Sequence, residues 1–238
     1  MAIDSVLLDR AEHRREGWLR LYSWAPHCLS FGRHEPAARR YDAARIAALG
    51  LDVVRRPTGG RAVWHAGELT YAVAAPIAWL GSLREAYVAI HEMLRRALAT
   101  LGADATLAQT TRTPGVGAGA CFAQPAGGEV MVGGRKVIGS AQLRQEEALL
   151  QHGSILLEND QSVVGTVSVG SAPPDLAAPL STLLGRSIER GDVATAVAGA
   201  ATSSWTGDWD TITEPSDVLD AATLHTDRFR SRAWTWAR

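Results

Sequence analysis

The chain opens on an amphipathic pattern. Ile3, Val6, Leu7 and Ala11 recur at helical spacing with polar residues between them, which predicts a helix over 2–16 ended by Gly17. Trp18-Leu-Arg-Leu-Tyr-Ser-Trp24 then alternates with a period of two, Ala25-Pro26 turns the chain, and Cys28-Leu-Ser-Phe-Gly32 is again strand-like. The two segments together predict a hairpin. An alanine-rich helix is expected over 37–49 before Gly50, and a strand over 51–55. Arg55-Arg-Pro-Thr-Gly-Gly-Arg61 reads as a loop, with strands at 62–65 and 69–73 around a short turn.

Residues 82–102 carry Leu83, Tyr87, Ile90, Leu94 and Leu98 along one stripe, predicting a long helix packed across a sheet. The glycine-rich stretch 115–128 has too few bulky residues for a core element and is long for a mere connection, which favours a functional loop. Glu129-Val-Met-Val132, the Gly133-Gly134 turn and Arg135-Lys-Val-Ile138 predict a hairpin, and 148–157 a further strand. Beyond Asp160, residues 161–175 read as a connection, and helices are expected over 177–185, 191–200 and 216–236. A strand-rich middle flanked by helices predicts an α+β fold, and with no internal repeat or linker residues 1–238 are expected to form one domain.

Composition narrows the class. Of 238 residues 46% are apolar, enough for a sizeable core. No uncharged apolar run reaches the roughly 18 residues of a membrane span, and residues 1–10 do not resemble a secretory signal, so a cytoplasmic protein without membrane association is expected. Cys28 and Cys121 stand far apart outside any CxxC spacing, which argues against a disulfide framework or cysteine-rich zinc site, and no metal-ligand set is evident. The net charge of −1 conceals eleven arginines against seven acids in residues 1–61. That excess suits either a basic face for an acidic protein or ordinary solvated helix positions. Basic residues do not interleave with aromatics, so no track for nucleic acid is expected. Among the 24 cationic residues Lys136 is the single lysine. Where arginine fills every tolerant position, a retained lysine marks a place needing a compact ammonium with three donors.

Three segments exceed the needs of structure: Arg55-Arg-Pro-Thr-Gly-Gly-Arg-Ala-Val-Trp-His65, Gly133-Gly-Arg-Lys-Val-Ile-Gly-Ser-Ala-Gln142 and Gln151-His-Gly-Ser154. Each is readable alone as a tight turn or a core histidine. In this order they resemble the lipoate attachment family, part of the biotin/lipoate protein ligase superfamily. Thr58-Gly-Gly-Arg-Ala-Val63, Glu68-Leu-Thr-Tyr71 and Ala120-Cys-Phe122 are most similar to its cysteine-dependent octanoyltransferase branch. The resemblance covers about residues 2–157, including Met1-Ala-Ile-Asp4 and Ser30-Phe-Gly-Arg33. It departs at Gln124-Pro-Ala-Gly-Gly-Glu129, smaller than the branch's usual segment, and at Ala66, where an acidic residue is common.

The resemblance implies a mixed β-sheet flanked by helices, of the biotin/lipoate protein ligase catalytic-domain type, with the active site at loops along one edge. It implies that an octanoyl thioester on an acyl carrier protein passes to the Cys121 thiolate and then to a lysine of a lipoyl-acceptor domain, with no cofactor. Lys136, fifteen residues after Cys121, would lower the thiol pKa and stabilise the oxyanion. Arg56, Thr58, Gly59, Gly60 and His65 would line the acyl and thioester end, Gly139, Ser140 and Ala141 a second wall, and His152 with Gly153 the border of the acyl chain. Val63, Val137 and Tyr71 are further lining. Cys28 is the rival thiol, in a strand that suits a small buried hydrophobe. Two alternatives stay open: a lipoate–protein ligase using ATP and Mg to form an acyl-adenylate, and a non-catalytic carrier-binding subunit.

Overall fold

The computed structural model describes residues 1–109, 127–170, 177–213 and 215–237. Helix α1 (Ala2–Arg14) precedes strands β1 (Trp18–Tyr22) and β2 (Cys28–Phe31), the short helices α2 (Ala37–Arg40) and α3 (Ala43–Ala48), and strands β3 (Asp52–Arg55), β4 (Val63–His65) and β5 (Glu68–Pro76). Helices α4 (Ile77–Leu80) and α5 (Leu83–Thr100) lead to strands β6 (Ala105–Leu107), β7 (Val130–Val132), β8 (Arg135–Lys136), β9 (Ile138–Gln145) and β10 (Ala148–Leu156). The described elements that follow are helices: α6 (Ser162–Val167), α7 (Leu180–Leu184), α8 (Arg190–Ser204), α9 (Ser216–Arg230) and α10 (Arg232–Thr235).

The expected α+β class is observed, and among the described residues the strands divide into three sheets. One is antiparallel in the order β1-β5-β10-β9, a second is mixed in the order β3-β2-β4, and a third is antiparallel in the order β6-β7-β8. The expected β1–β2 hairpin is not formed. Every position of β1 is partly exposed, as suits an edge, and β1 pairs with β5. Every position of β2 is buried, and β2 lies between β3 and β4 instead.

Strand β5 organises the core because both its faces are covered. Leu69, Tyr71 and Val73 pack with Ile90, Leu94 and Leu98 of α5 and Val193 and Val197 of α8. The alternate residues Ala72 and Ala74 pack with Val6, Leu7 and Ala11 of α1 and Val218 and Ala222 of α9. Period-two alternation thus divides one strand between two helical layers. The alanines bring α1 close to the sheet. Each fully buried Leu, Ile or Val contributes about 1.5–3 kcal/mol relative to exposure, so the α5 stripe is a principal source of stability.

Four further boundaries differ from expectation. The helix over 37–49 is split because Tyr41 turns extended, stacks on Phe31 with ring centroids 4.9 Å apart, and leaves Asp42 to cap α3 through the Arg45 amide at 3.0 Å. The supposed connection 161–175 contains α6, whose Val164 and Val167 bury against Leu29 and Phe31. The last helix divides at Ser231, which caps α10. The helix expected over 177–185 is confined to α7. By contrast, Gly133 and Gly134 take φ of 54° and 72° in the β7–β8 turn, as the Gly-Gly hairpin signal requires, and α5 begins with a complete Ser82/Glu85 capping box. Most of the glycine-rich stretch, including Cys121, lies outside the described residues.

Candidate active site

Strand register gathers the site. Across the sheet, Thr70 faces Ser154, Tyr71 faces Gly153 and Ala72 faces His152, while on the other side of β10 these meet Gly139, Ser140 and Ala141. A narrow cavity of about 20 Å³ lies against these strands, reached also by Met1, Tyr22, Arg56, Val63 and His65. That is on the scale of a single water molecule. Gly153 is needed here for space: a Cβ on it would stand 2.4 Å from the Gly139 carbonyl oxygen and 2.8 Å from Ser140 Oγ.

His65 and His152 line the cavity and a third histidine contacts it through Ser140, each tied to a hydroxyl. His152 Nδ1 lies 3.2 Å from Asp4 Oδ2, and its Nε2 lies 2.6 Å from Thr58 Oγ1. Burial alone would raise the Asp4 carboxyl, but the Met1 amino group, the hydrogen bond from His152 and Arg20 outweigh it and hold it well below the usual carboxylate range. Burial lowers His152, which is therefore neutral near pH 7, donating from Nδ1 to Asp4 and accepting the Thr58 hydroxyl at Nε2. Arg20 at 2.6 Å and the Tyr22 hydroxyl at 3.2 Å complete the shell of Asp4.

His65 is held by Ser30 at 2.7 Å on Nε2 and by Glu68 at 3.0 Å and Ser154 at 3.1 Å on Nδ1, and it stacks on Trp24. Arg56 reaches the same cluster, donating to the Ser30 hydroxyl at 2.7 Å and carbonyl at 2.9 Å and to the Gly59 and Arg61 carbonyls at 2.9 and 2.8 Å. The arginine thereby ties the Thr58-Gly-Gly loop to β2. A Cβ on Gly32 would lie 1.9 Å from the Gly60 carbonyl oxygen, so the loop and the end of β2 touch backbone to backbone.

The third histidine, His91 of α5, was not singled out by sequence. Its Nδ1 meets the Gly128 carbonyl at 2.7 Å and its Nε2 meets Ser140 Oγ at 2.8 Å. Burial, with a smaller contribution from Lys136, lowers it to about 4.

Lys136 is 1% exposed, and its Nζ lies 2.5 Å from Oε1 of the buried Glu129. It does not line the cavity described above. The single lysine has a counterion, Glu129, that sequence reasoning did not assign. Val137 is core beside it, and Cys28 is a buried thiol pushed up to about 12 chiefly by burial. Among the described residues no cluster of His, Cys, Asp or Glu is arranged to hold a metal ion.

Of the residues expected to bind substrate, Arg56, His65, Gly139, Ser140, Ala141, His152 and Gly153 meet at the cavity. Thr58 reaches it through His152, while Gly59 and Gly60 shape the adjoining loop. Sequence reasoning did not single out the roles of Asp4, Tyr22, Thr70, His91, Glu129 and Ser154. Asp4 and His91 were detectable, because each places a polar group on the apolar face of its helix: Asp4 lines up with Leu8 and Ala11, His91 with Leu94.

Comparison with known proteins gives the family of the chain. The model of the lipoyl protein ligase A/B catalytic domain matches residues 1–202. Octanoyltransferase LipM of Kyrpidia tusciae is 41% identical over 176 residues, 70% of this chain and 64% of the relative. Octanoyltransferase LipM of Carboxydothermus hydrogenoformans is 42% identical over 164 residues, 67% of this chain and 61% of the relative. The matched region therefore spans less than two thirds of these relatives' length. A crystal structure of lipoate-protein ligase A bound with ATP superposes with a TM-score of 0.81 at 20% identity, covering 99% of this chain and 92% of that one. A bi-partite lipoate protein ligase from Thermoplasma acidophilum gives 0.74 at 20% identity, covering 99% and 92%. The chain belongs to the lipoyl protein ligase A/B catalytic domain family.

Proposed function

We propose that residues 1–238 form one acyl-transfer domain that moves an octanoyl group from an acyl carrier protein to a lysine of a lipoyl-acceptor domain, without ATP or metal. The observation that carries this reading is the 41–42% identity to two octanoyltransferases, together with a family match that spans both Cys121 and Lys136. The Cys121 thiolate attacks the donor's thioester carbonyl, the donor thiol leaves with the pantetheine arm, and an enzyme thioester forms. The acceptor amine then attacks that thioester, releasing the Cys121 thiol and leaving an amide.

Lys136 stabilises the anionic oxygen of each tetrahedral intermediate, and Glu129 fixes the position of its ammonium. Arg56, Thr58, Gly59, Gly60 and His65 hold the thioester end. Gly139, Ser140 and Ala141 form a second wall, and His152 with Gly153 borders the acyl chain. The cavity has the volume of about one water, so the walls must part to admit eight carbons.

The test is incubation with octanoyl-acyl carrier protein followed by intact-protein mass spectrometry. One octanoyl mass is expected on the wild type and on Cys28→Ser, and none on Cys121→Ser. Full transfer by Cys121→Ser, or strict dependence on ATP and Mg, would establish the ligase chemistry instead. Carrier binding with neither adduct nor product would establish a non-catalytic subunit.

A further inference from the structure

A hydrogen-bonded chain runs through the wall of the cavity between two backbone carbonyls, and its direction is fixed at both ends. At one end Gln142 Nε2 donates to the Leu83 carbonyl at 3.0 Å and to Gln151 Oε1 at 2.9 Å. A carbonyl only accepts, so the Gln142 amide is oriented, and Gln151 must present its own Nε2 to Tyr71 Oη, 2.9 Å away. Tyr71 then gives its hydrogen to Ser140 Oγ at 2.6 Å. Burial pushes the Tyr71 phenol up to about 12, so this hydrogen is retained near neutral pH.

At the other end the Gly128 carbonyl requires a hydrogen on His91 Nδ1. His91 is neutral near pH 7, so its Nε2 is an acceptor and takes the Ser140 hydrogen at 2.8 Å. Ser140 has thus spent its one hydrogen on His91 and one lone pair on Tyr71. What its oxygen offers the cavity is the second lone pair.

An acceptor-only oxygen is a poor neighbour for an acyl carbonyl, which is also an acceptor, and gains nothing from an alkyl chain. It suits an N–H. We infer that Ser140 is the binding residue for the attacking amine of the acceptor lysine, with His91 as the positioning residue that keeps the Ser140 hydrogen out of the cavity. The amine binds with an N–H directed at Ser140 Oγ, which leaves the nitrogen lone pair free for attack on the carbonyl carbon. His91 acts here as a fixed acceptor. The inference rests on the thioester reading only for the order of steps, because the amine is a substrate of transfer and of ATP-dependent ligation alike.

The two half-reactions separate the possibilities. Ser140→Ala should still acquire the octanoyl group from octanoyl-acyl carrier protein, slowed far less than the second half-reaction, which also shows that it folds. Its transfer to a lipoyl-domain acceptor should slow about tenfold, the loss of one hydrogen bond from the amine. His91→Asn, which no longer fixes the Ser140 hydrogen, should slow the same half-reaction. Wild-type transfer by Ser140→Ala, or an equal slowing of both half-reactions, would overturn the inference. If the wild type forms no acyl-enzyme, the thioester reading fails by itself. Ser140 is then judged with ATP and octanoate: a raised KM for the acceptor in Ser140→Ala supports the assignment, and an unchanged KM overturns it.

Discussion

His152 Nε2 and Thr58 Oγ1 lie 2.6 Å apart across 94 positions of sequence, joining the Thr58-Gly-Gly loop to the middle of β10. The pair is oriented from behind by Asp4, a fully buried carboxylate on the first helix. A helix with no residue on the cavity loop thereby determines which way a hydroxyl beside it points.

Removing that anchor should be costly. Asp4→Ala leaves Arg20 and the His152 Nδ1 hydrogen without their acceptor in a buried place. A loss of about 3–5 kcal/mol is expected, as for breaking a buried ion pair from one side. Urea denaturation measures it. Asp4→Asn should lose less and retain the fold, so transfer activity can be compared in that variant.

The same groups give stability a definite pH dependence. His91 is lowered to about 4 from an ordinary value of 6.5, so below pH 6.5 the unfolded chain binds the proton more readily than the folded one. Its contribution is complete above about 6.5 and declines as pH falls towards 4, by up to about 3 kcal/mol. His152 acts in the same direction, and Asp4, lowered from 3.8, adds a loss as pH falls below its ordinary value. Denaturation midpoints should therefore hold nearly level from pH 8 to about 6.5 and fall from there to pH 4, less steeply in His91→Asn.

Lys136 and Glu129 should behave as one unit. Lys136→Met removes the ammonium beside Glu129, and Glu129→Gln removes the carboxylate beside a lysine that is 1% exposed. The double variant should be more stable than the sum of the single losses predicts, with a coupling of about 1–3 kcal/mol. Lys136→Arg, which brings a broader planar group into the same space, should lower transfer about a hundredfold or more even where the fold survives.

Arg55 offers a test outside the reaction. Its guanidinium donates to six carbonyls: Gly32, Arg33 and Glu35 at the end of β2, and Trp234, Thr235 and Ala237 near the chain's end. Arg55→Lys cannot reproduce that fork and should cost about 2–4 kcal/mol. Limited proteolysis should then release α10 first.

The elements legible in the sequence are those whose signal is local. Gly133-Gly134 supplies the positive φ of a tight hairpin, Ser82 and Glu85 mark the start of α5, and the stripe through Ile90, Leu94 and Leu98 declares its buried face. The family resemblance pointed to Thr58-Gly-Gly, His65, Gly139-Ser-Ala and His152-Gly, of which all but the Thr58-Gly-Gly loop line the cavity, that loop joining it through His152. The partnership of β1 with β5 was not legible, because an alternating strand specifies a buried face but not a neighbour.

The division of labour between adjacent arginines shows the limit most clearly. Arg55 and Arg56 are indistinguishable as letters in one motif, yet strand alternation sends Arg55 to the C-terminal helices and Arg56 to the cavity loop. Likewise the sequence by itself marked Lys136 as a residue arginine had not replaced. Only the tertiary structure supplied Glu129 as its counterion, Asp4 behind His152 and His91 behind Ser140. Burial decides these pairings, since a polar group taken from water must find its partner in whatever chain segment packing brings within about 3 Å.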